Sequence, residues 1–522
     1  MYNVEQQDID ILRQRAMNYR CKIQLLNEQM MILDEMEGAF LEGSVTIDSS
    51  SDIRRTLNAR ILLNDDSYLT KEYSRIWLDK RIRVYVGCDV VRTGETRWYS
   101  LGVFDFNDNS FTIDEATQEL NIGCVDMMSE INGELKGTLS GLETRIEEGN
   151  DIRTAIIRTI TQLGEIKKYR VEYESDTIPY DLEFNTGATV WNILQELRDL
   201  YYSYEMYFDE DVFVCQRVPM NNEYPVVLQN EQFERCVISE NLTNQFAEVK
   251  NIIQVYGEST RNDYYSDNVS YSGGVYTVNV ANAEMSSGKR FSFVAPEKNG
   301  ETASIKIVNT VNGNAATYGP FAMVQMKSDR KADDVPLGAG KLEKGKYYVF
   351  KYDGKQAMAF VGQSQIQALC VFTNHTPTGE EIAYYKEKFG CDNMGYIVNP
   401  ESPFTVEKIG ERFLMCSGND YAKISTDELA MERAEYEIYL HARLTDSLSL
   451  QMQLIPWLDV NDKVEYAPLA GGGQVQQFII QNINFSIGEG TMNITMARFY
   501  PFYPNTVHLA DTKTETGGGV NE

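Results

Sequence analysis

The stretch FLEGSVTIDSSSDIRRTLNARILLNDD, residues 40–66, alternates apolar and polar side chains on both sides of a Ser-rich turn. Val45 and Ile47 come before the turn; Ile53, Leu57, Ala59, Ile61 and Leu63 come after it. Side chains of a strand point alternately to opposite faces, so period two over these lengths predicts paired β-strands with one covered face. RIRVYVGCDVVR (81–92), TRWYSLGVFDFNDNSF (96–111) and TQELNIGCVD (117–126) carry the same texture. Residues 39–128 therefore read as a small antiparallel barrel or sandwich, the core of a first domain bounded at 39–140.

The flanks have other periods. In EQQDIDILRQRAMNYRCKIQLL (5–26), apolar residues recur at Ile9, Leu12, Ala16, Tyr19, Ile23 and Leu26, a spacing that predicts a helix or arm over 1–38. Residues 141–235 predict a mixed α/β middle domain. Its helices are NDIRTAIIRTITQLGE (150–165), capped by Asn150 or Asp151, and TVWNILQELRDLYYSYE (189–205), capped by Thr189. A hairpin turning at Asp209-Glu210-Asp211 follows, and connecting strands are expected over 236–258.

Residues 259–400 are rich in Gly, Asn, Ser and Tyr, with short alternating runs that predict an inserted all-β sandwich. This segment holds 15 basic and 14 acidic residues, whereas the rest of the chain holds 33 and 63. The remaining part, 401–510, reads as a second β domain. It contains TDELAMERAEYEIYLHAR (426–443), helical at first but alternating in its second half, and a hairpin turning at residues 488–490. Residues 511–522 form a polar tail. The fold class is thus β-rich α+β: two barrel-like β domains bracketing a helical α/β middle and an inserted sandwich.

The chain has 522 residues, 48 Lys+Arg against 77 Asp+Glu, and a net charge of -29. That balance argues against a nucleic-acid coat or a binder of anionic membranes. No apolar run is long enough to span a bilayer, and the first residues lack the pattern of a signal peptide, so assembly in a cytoplasm is expected. The eight cysteines form no CxxC pair and read as free, mostly buried thiols.

Signals for chemistry are sparse. The sequence has no GxSxG, Walker-type, HExxH or helix-opening GxGxxG motif. Of three histidines, His441 reads as packed and His375 and His508 as surface residues. Asp209-Glu210-Asp211 and the trio Asp459, Asn461 and Asp462 have oxygen donors that suit Ca²⁺, but both sit where turns are expected and EF-hand spacing is missing. No catalytic residue, cofactor or metal is expected. Tyr264, Tyr265, Tyr271, Tyr276, Tyr347, Tyr348 and Tyr352 cluster in the insert and are the candidates for holding a ligand, either sugar rings or a protein. Arg54-Arg55 and Lys80, Arg81 and Arg83 stand out against the acidic background as surface charges or partners for carboxylates across a subunit contact.

Whole phrases of the chain, in their order, resemble a family. GSVTIDSSSDIRRT, RIWLDKRIRVYVGC and TRWYSLGVFDF are similar to the N-terminal part of phage tail hub proteins. These are the tail-associated proteins of siphophages and the baseplate hubs of contractile phages, especially phages of Gram-positive bacteria. IPYDLEFNTGATVWNILQELRDLYYSYEMYFDEDVF, EVKNIIQVYG, YYVFKYDGKQAMAFVG and DELAMERAEYEIYLHARLTDSLSLQMQLIPWLDVNDKVEY agree, and the resemblance covers about residues 30–505. It implies a ring-shaped homotrimer whose subunits each carry two tail-tube-like barrels, matching a six-fold tube above and a three-fold tip below. The partners it implies are a distal tail or tail tube protein, a tape measure protein and tail-tip or receptor-binding proteins. DNA would be met only in transit, and the place would be the tail tip of a virion. Some members carry a C-terminal peptidase or lysozyme domain; this chain ends soon after its last predicted strand, so wall-degrading activity is not expected within it. The excess carboxylates are expected to line the channel. The alternative expectation is a receptor- or glycan-binding tail protein acting through residues 259–400.

Overall fold

In a computed structural model the chain is β-rich and divides into two units, Met1–Gln245 with Thr445–Phe502, and Phe246–Leu444 with Tyr503–Glu522. The structure describes residues 4–508 except 15–16, 38–39, 63–67, 69–70, 73, 114–117, 142–143, 174–176, 179–180, 201–203, 220–223, 260–262, 312, 327–331, 363–364, 419–420, 423, 425 and 502–505. Leu63 and the polar tail lie outside the described residues, as does the side chain of His508.

The first unit is built on one twelve-stranded, nearly closed barrel-like sheet. Its strands in chain order are β1 (Tyr19–Asn27), β2 (Ile32–Glu37), β3 (Phe40–Asp48), β4 (Arg55–Leu62), β5 (Lys80–Val90), β6 (Glu95–Ile113), β7 (Gln118–Asp126), β8 (Val237–Gln245), β9 (Thr445–Gln453), β10 (Lys463–Tyr466), β11 (Gln476–Ser486) and β12 (Thr491–Arg498). In space they run β8-β9-β12-β11-β3-β4-β7-β6-β5-β1-β2, with β10 on β11. The opening stretch supplies β3 and β4. Val45, Ile47, Leu57, Ala59 and Ile61 face inward and join Leu448, Leu450, Met452, Ile483, Phe485, Met492 and Ile494 from the C-terminal strands in one core. Early and late segments of the chain thus share a sheet through β3 and β11, with Ser44 to Asp48 opposite Ser486 to Asn482. At the β11–β12 hairpin, Gly490 takes a left-handed φ of 64° and lies against the Tyr19 ring, where a Cβ would fall 2.7 Å from Cδ2.

The N-terminal helix is shorter than its spacing predicts. It spans Gln6–Leu12, and Tyr19–Asn27 is a strand paired along its whole length with β5. Pairing on both edges and cover on both faces decide this. Ile23 and Leu25 alternate into the main core, and the same alternation turns Leu26 to the opposite face, into a second core.

That second core belongs to the α/β middle. The helix Ile152–Arg158 is capped by Asp151, which accepts from Thr154 N at 2.7 Å, and continues as a π turn over Thr159–Leu163. The helix Val190–Asp199 is capped by Thr189 and buries Val190, Ile193, Leu194 and Leu197, the face its sequence predicts. The hairpin Tyr204–Asp209 with Val212–Arg217 turns at Glu210, whose φ is 53°.

In the second unit, a nine-stranded sheet over residues 264–362 closes around Tyr276, Phe291, Phe293, Ile305, Phe350 and Met358. All-β structure does not continue to residue 400. The helix Gly379–Phe389 lies between two parallel strands, Gln365–Thr373 and Met394–Val398, of a separate five-stranded sheet. The helix Asp427–His441 packs on this sheet through Ala430, Met431, Ala434 and Ile438 and stays helical to its end. Residues 401–444 therefore cluster with the second unit, and 445–502 with the first.

Two arginines at the β3–β4 turn tie three parts of the first unit together. Arg54 Nη1 donates to Glu205 Oε2 at 2.5 Å, its Nη2 donates to Val460 O at 3.2 Å, and its guanidinium lies 3.9 Å from the Tyr207 ring centre. Arg55 donates to Asp459 Oδ2 at 2.5 Å and to Phe208 O at 2.8 Å. Both arginines are buried, so removing one partner strands a charge, at a typical cost of roughly 3–5 kcal/mol. Arg54→Met should lower the thermal midpoint sharply, and adding Glu205→Leu should restore part of the loss. Calorimetry on the full chain checks this; losses that simply add would mean that the two side chains do not act as a pair.

Candidate functional surfaces

The face of the large sheet opposite its core is a lawn of hydroxyls and amides. One row of paired residues runs Gln453, Thr491, Ser486, Ser44, Asn58, Gly123 and Asp108 across seven strands. A second runs Ser239, Gln451, Asn493, Asn484, Thr46 and Thr56 across six. The alternation that sends Leu, Ile, Val and Met inward sends these residues outward. Asn484 Nδ2 donates to Thr46 Oγ1 at 2.7 Å and Asn482 Nδ2 to Asp48 Oδ2 at 3.0 Å, so neighbouring strands are joined through side chains as well as backbone. Around these rows the charged side chains are few. Arg60 is neutralised by Glu42 at 3.1 Å and Glu119 at 3.2 Å. The face is thus polar with a modest acidic balance, Asp48, Asp108, Glu42 and Glu119 standing against Arg60.

From β8 to β6 this face spans eight strands, each antiparallel to its neighbours. It divides into two sets of four, β8-β9-β12-β11 and β3-β4-β7-β6, joined at β11–β3. Both outer edges are open to a further strand among the described residues. β8 pairs only with β9, and β6 past Asp105 runs beyond its pairing with β5 and pairs only with β7. Sequence periodicity located the strands but not this face, because outward Ser, Thr and Asn look like any solvated strand surface.

The basic residues singled out in the sequence are internal partners. Arg54 and Arg55 hold Glu205 and Asp459 as described. Arg81 is buried between Asp105 at 3.0 Å and Glu130 at 2.5 Å, Arg83 reaches Glu210 at 3.2 Å, and Lys80 pairs with Asp79 at 2.5 Å. A subunit contact is not needed to account for them. The two acidic turns also have protein partners: Asp211 accepts from Lys168 at 2.5 Å, and Asp459 N donates to Asp462 Oδ2 at 2.9 Å. Among the described residues no three His, Cys, Asp or Glu side chains are grouped to share a metal ion. All eight cysteines are free, and seven are buried.

In the second unit His441 is half-buried, 3.5 Å from Glu437, and His375 lies 3.3 Å from both Glu381 and Glu407. The tyrosine cluster separates into core and surface. Tyr276, Tyr348 and Tyr352 are buried in the core of the nine-stranded sheet, where β alternation places them. Tyr264 and Tyr271 pack against that core and accept from Glu284 N at 2.8 Å and Gly300 N at 3.2 Å. Tyr265 and Tyr347 stack at 5.9 Å and 19°, with Tyr265 exposed.

Residues 401–503 match a family described as a domain of unknown function (DUF5048). No curated protein matches the chain. Among solved structures the fold is similar to a tail protein from Neisseria meningitidis MC58, at 8% identity and a TM-score of 0.45, covering 92% of this chain and 98% of that one. It is similar to the 43 kDa tail protein of prophage MuSo2 from Shewanella oneidensis, at 10% identity, a TM-score of 0.45 and the same coverage. It is also similar to the prophage tail protein gp18 from Listeria monocytogenes EGD-e, at 10% identity and a TM-score of 0.41, covering 91% and 94%. No helix among the described residues is long and apolar enough to cross a membrane.

Beneath the arginine pair lies a carboxylate that should respond to pH. Burial, and then the charge of Asp459, push the Asp462 carboxyl up to about 7. Burial also raises Asp459, but Arg55 and Arg54 outweigh it and hold that carboxyl below its ordinary value. A raised folded-state value means that Asp462 binds a proton more tightly when folded, so its contribution to stability is present at low pH and lost as pH rises through about 7. Asp462→Asn mimics the protonated form. The thermal midpoint of this variant, relative to the parent chain, should be unchanged near pH 3, where Asp462 is protonated both folded and unfolded, and should rise progressively from about pH 4 to a plateau above about 7. A difference that does not vary with pH would show that Asp462 stays ionised throughout.

Proposed function

We propose that this chain is a structural hub of a bacteriophage or prophage-derived tail. Three copies form a ring that joins a six-fold tube to a three-fold tip, and the polar sheet face lines the passage for DNA. The supporting observation is the eight-stranded face with two open edges. Eight strands that alternate in direction end on edges running opposite ways. Copies set edge to edge therefore continue the antiparallel pattern without a break, and a heterologous contact of this kind closes into a ring. Each copy contributes two four-stranded sets, so three copies present six. Closure also removes the exposed edges that would otherwise invite aggregation.

The chemistry of the face suits passage of a polyanion. Affinity for nucleic acid comes mainly from Lys and Arg neutralising phosphates, and the rows offer none that is unpaired. The hydroxyls and amides bind water as well as they bind DNA, so nothing holds the strand. In this reading the hub sits at the tail tip and contacts a distal tail or tail tube protein, a tape measure protein and tip or receptor-binding proteins, without performing a reaction. The order of hub-like phrases along the sequence supports the same assignment.

A second reading attaches to the insert. The stacked, surface-placed Tyr265 and Tyr347 offer a flat aromatic platform of the kind that receives sugar rings, so this unit would touch a host glycan or receptor.

Imaging of particles should show a three-fold ring of this chain around the axis. In such particles Asn58→Lys, Asn484→Lys and Gln451→Lys together should leave assembly intact and slow DNA release, with added salt relieving the delay. A monomer at the periphery, or release at the parent rate, would count against the hub reading. Deleting residues 264–362 should reduce adsorption of assembled particles if the second reading holds; unchanged adsorption would remove it.

A further inference from the structure

The segment between β10 and β11, residues 467–475, reads APLAGGGQV and is held in one shape. Pro468 O accepts from both Gly471 N at 3.0 Å and Gly473 N at 2.9 Å, and Leu469 O accepts from Gly472 N at 3.1 Å. Gly472 and Gly473 take φ of 84° and 67°, a region that side chains other than glycine rarely adopt, which accounts for the glycine run. The loop is then fastened to β8. Glu240 accepts from Tyr466 Oη at 2.7 Å and from Ala470 N at 2.8 Å, and Gly471 lies beside Leu242.

This much fixation displays apolar side chains to water. Leu469 is 81% exposed and Val475 57%, and Ile238, the bulged residue of β8, is 60% exposed. Ile238 is on β8, Leu469 precedes Ala470, which is bonded to Glu240 of β8, and Val475 ends the same loop. Single exposed apolar residues are ordinary, but a preorganised loop that holds them next to an unpaired strand is the anatomy of a docking edge. The opposite edge of the same face has a matching feature. Asn107 Nδ2 of β6 donates to Glu134 Oε1 at 3.2 Å, which places the exposed Leu135 beside the open part of β6.

We infer that the 467–475 loop is an interlock with a second copy of this chain. Leu469, Val475 and Ile238 of one copy pack beside the β6 edge and Leu135 of the next, while β8 and β6 pair through their backbones. Glu240 is a positioning residue that holds the loop ready. A second copy is favoured because the β8 edge and the oppositely running β6 edge are both on this chain, so each copy supplies both halves of the contact. The inference rests on the ring reading and adds the side chains that fix it.

The test uses the full chain, with mass followed by analytical ultracentrifugation over a concentration series. Leu469→Asp with Val475→Asp should weaken trimer formation at least about tenfold, as should Leu135→Asp, because each places a carboxylate that has to lose its water where an apolar contact forms. The thermal midpoint of the monomer should not change for Leu469→Asp with Val475→Asp, whose side chains are mostly exposed. Glu240→Ala should weaken association and speed hydrogen exchange at Ala470 N, and Glu240→Gln, which keeps an acceptor, should do less of both. A parent trimer that Leu469→Asp, Val475→Asp leaves intact removes the interlock and spares the ring. A parent chain that is monomeric in solution and forms no ring in particles removes both.

Discussion

Three parts of the first unit are tied together by two neighbouring guanidinium groups kept out of water. Arg54 and Arg55 follow directly on the β3–β4 turn, and their partners come from the α/β middle (Glu205 and Phe208 O) and from the segment after β9 (Asp459 and Val460 O). No apolar contact could impose such a condition. A buried guanidinium must find several acceptors at fixed angles, so these three chain segments have one arrangement in which the charges are satisfied. Glu205 is held from three sides, by Arg54, Asn461 Nδ2 at 2.6 Å and Gln216 Nε2 at 2.8 Å. The cluster contributes specificity of arrangement more than net stability, because desolvating the ions consumes most of their attraction.

That fixed arrangement matters for the polar face. A sheet assembled from the two ends of the chain needs its halves in register, and a one-residue slip of β3 against β11 would turn Ser44 and Thr46 inward and Val45 and Ile47 outward. The arginine cluster lies close to this seam, since Arg55 stands opposite Ile47 and Ile47 opposite Ile483. The core pattern and the ion pairs therefore select the same register independently. A smooth hydroxyl and amide surface is a consequence of that agreement.

Much of the fold was legible in the sequence because strands and capped helices announce themselves locally. Val45 to Ile61 showed the pleat, and Thr189 and Asp151 cap where their sequences place them. What failed was decided by distant partners. Tyr19 to Leu26 has helical spacing but is claimed by β5 and β2, and the Gly379–Phe389 helix was hidden in a segment of strand-like composition. Its signal was present nonetheless, in the Thr378–Glu381 capping box and the left-handed Gly390. The roles of charged residues were the least legible. Arg54, Arg55 and Arg81 look like surface charge in one dimension, because a sequence does not show which side chains are enclosed. Three of the seven tyrosines read as ligand contacts lie in a core for the same reason.

The net charge now has a narrower meaning. Its excess belongs to the chain outside residues 259–400, yet the rows of the polar face carry few of those carboxylates, and the arginine on that face is matched by two of them. On that face the carboxylates stand singly among hydroxyls and amides, which hold water, and the one arginine is already paired, so among the described residues the surface offers a polyanion no free cation. Most of the excess negative charge lies elsewhere on the chain, where like charge favours solubility.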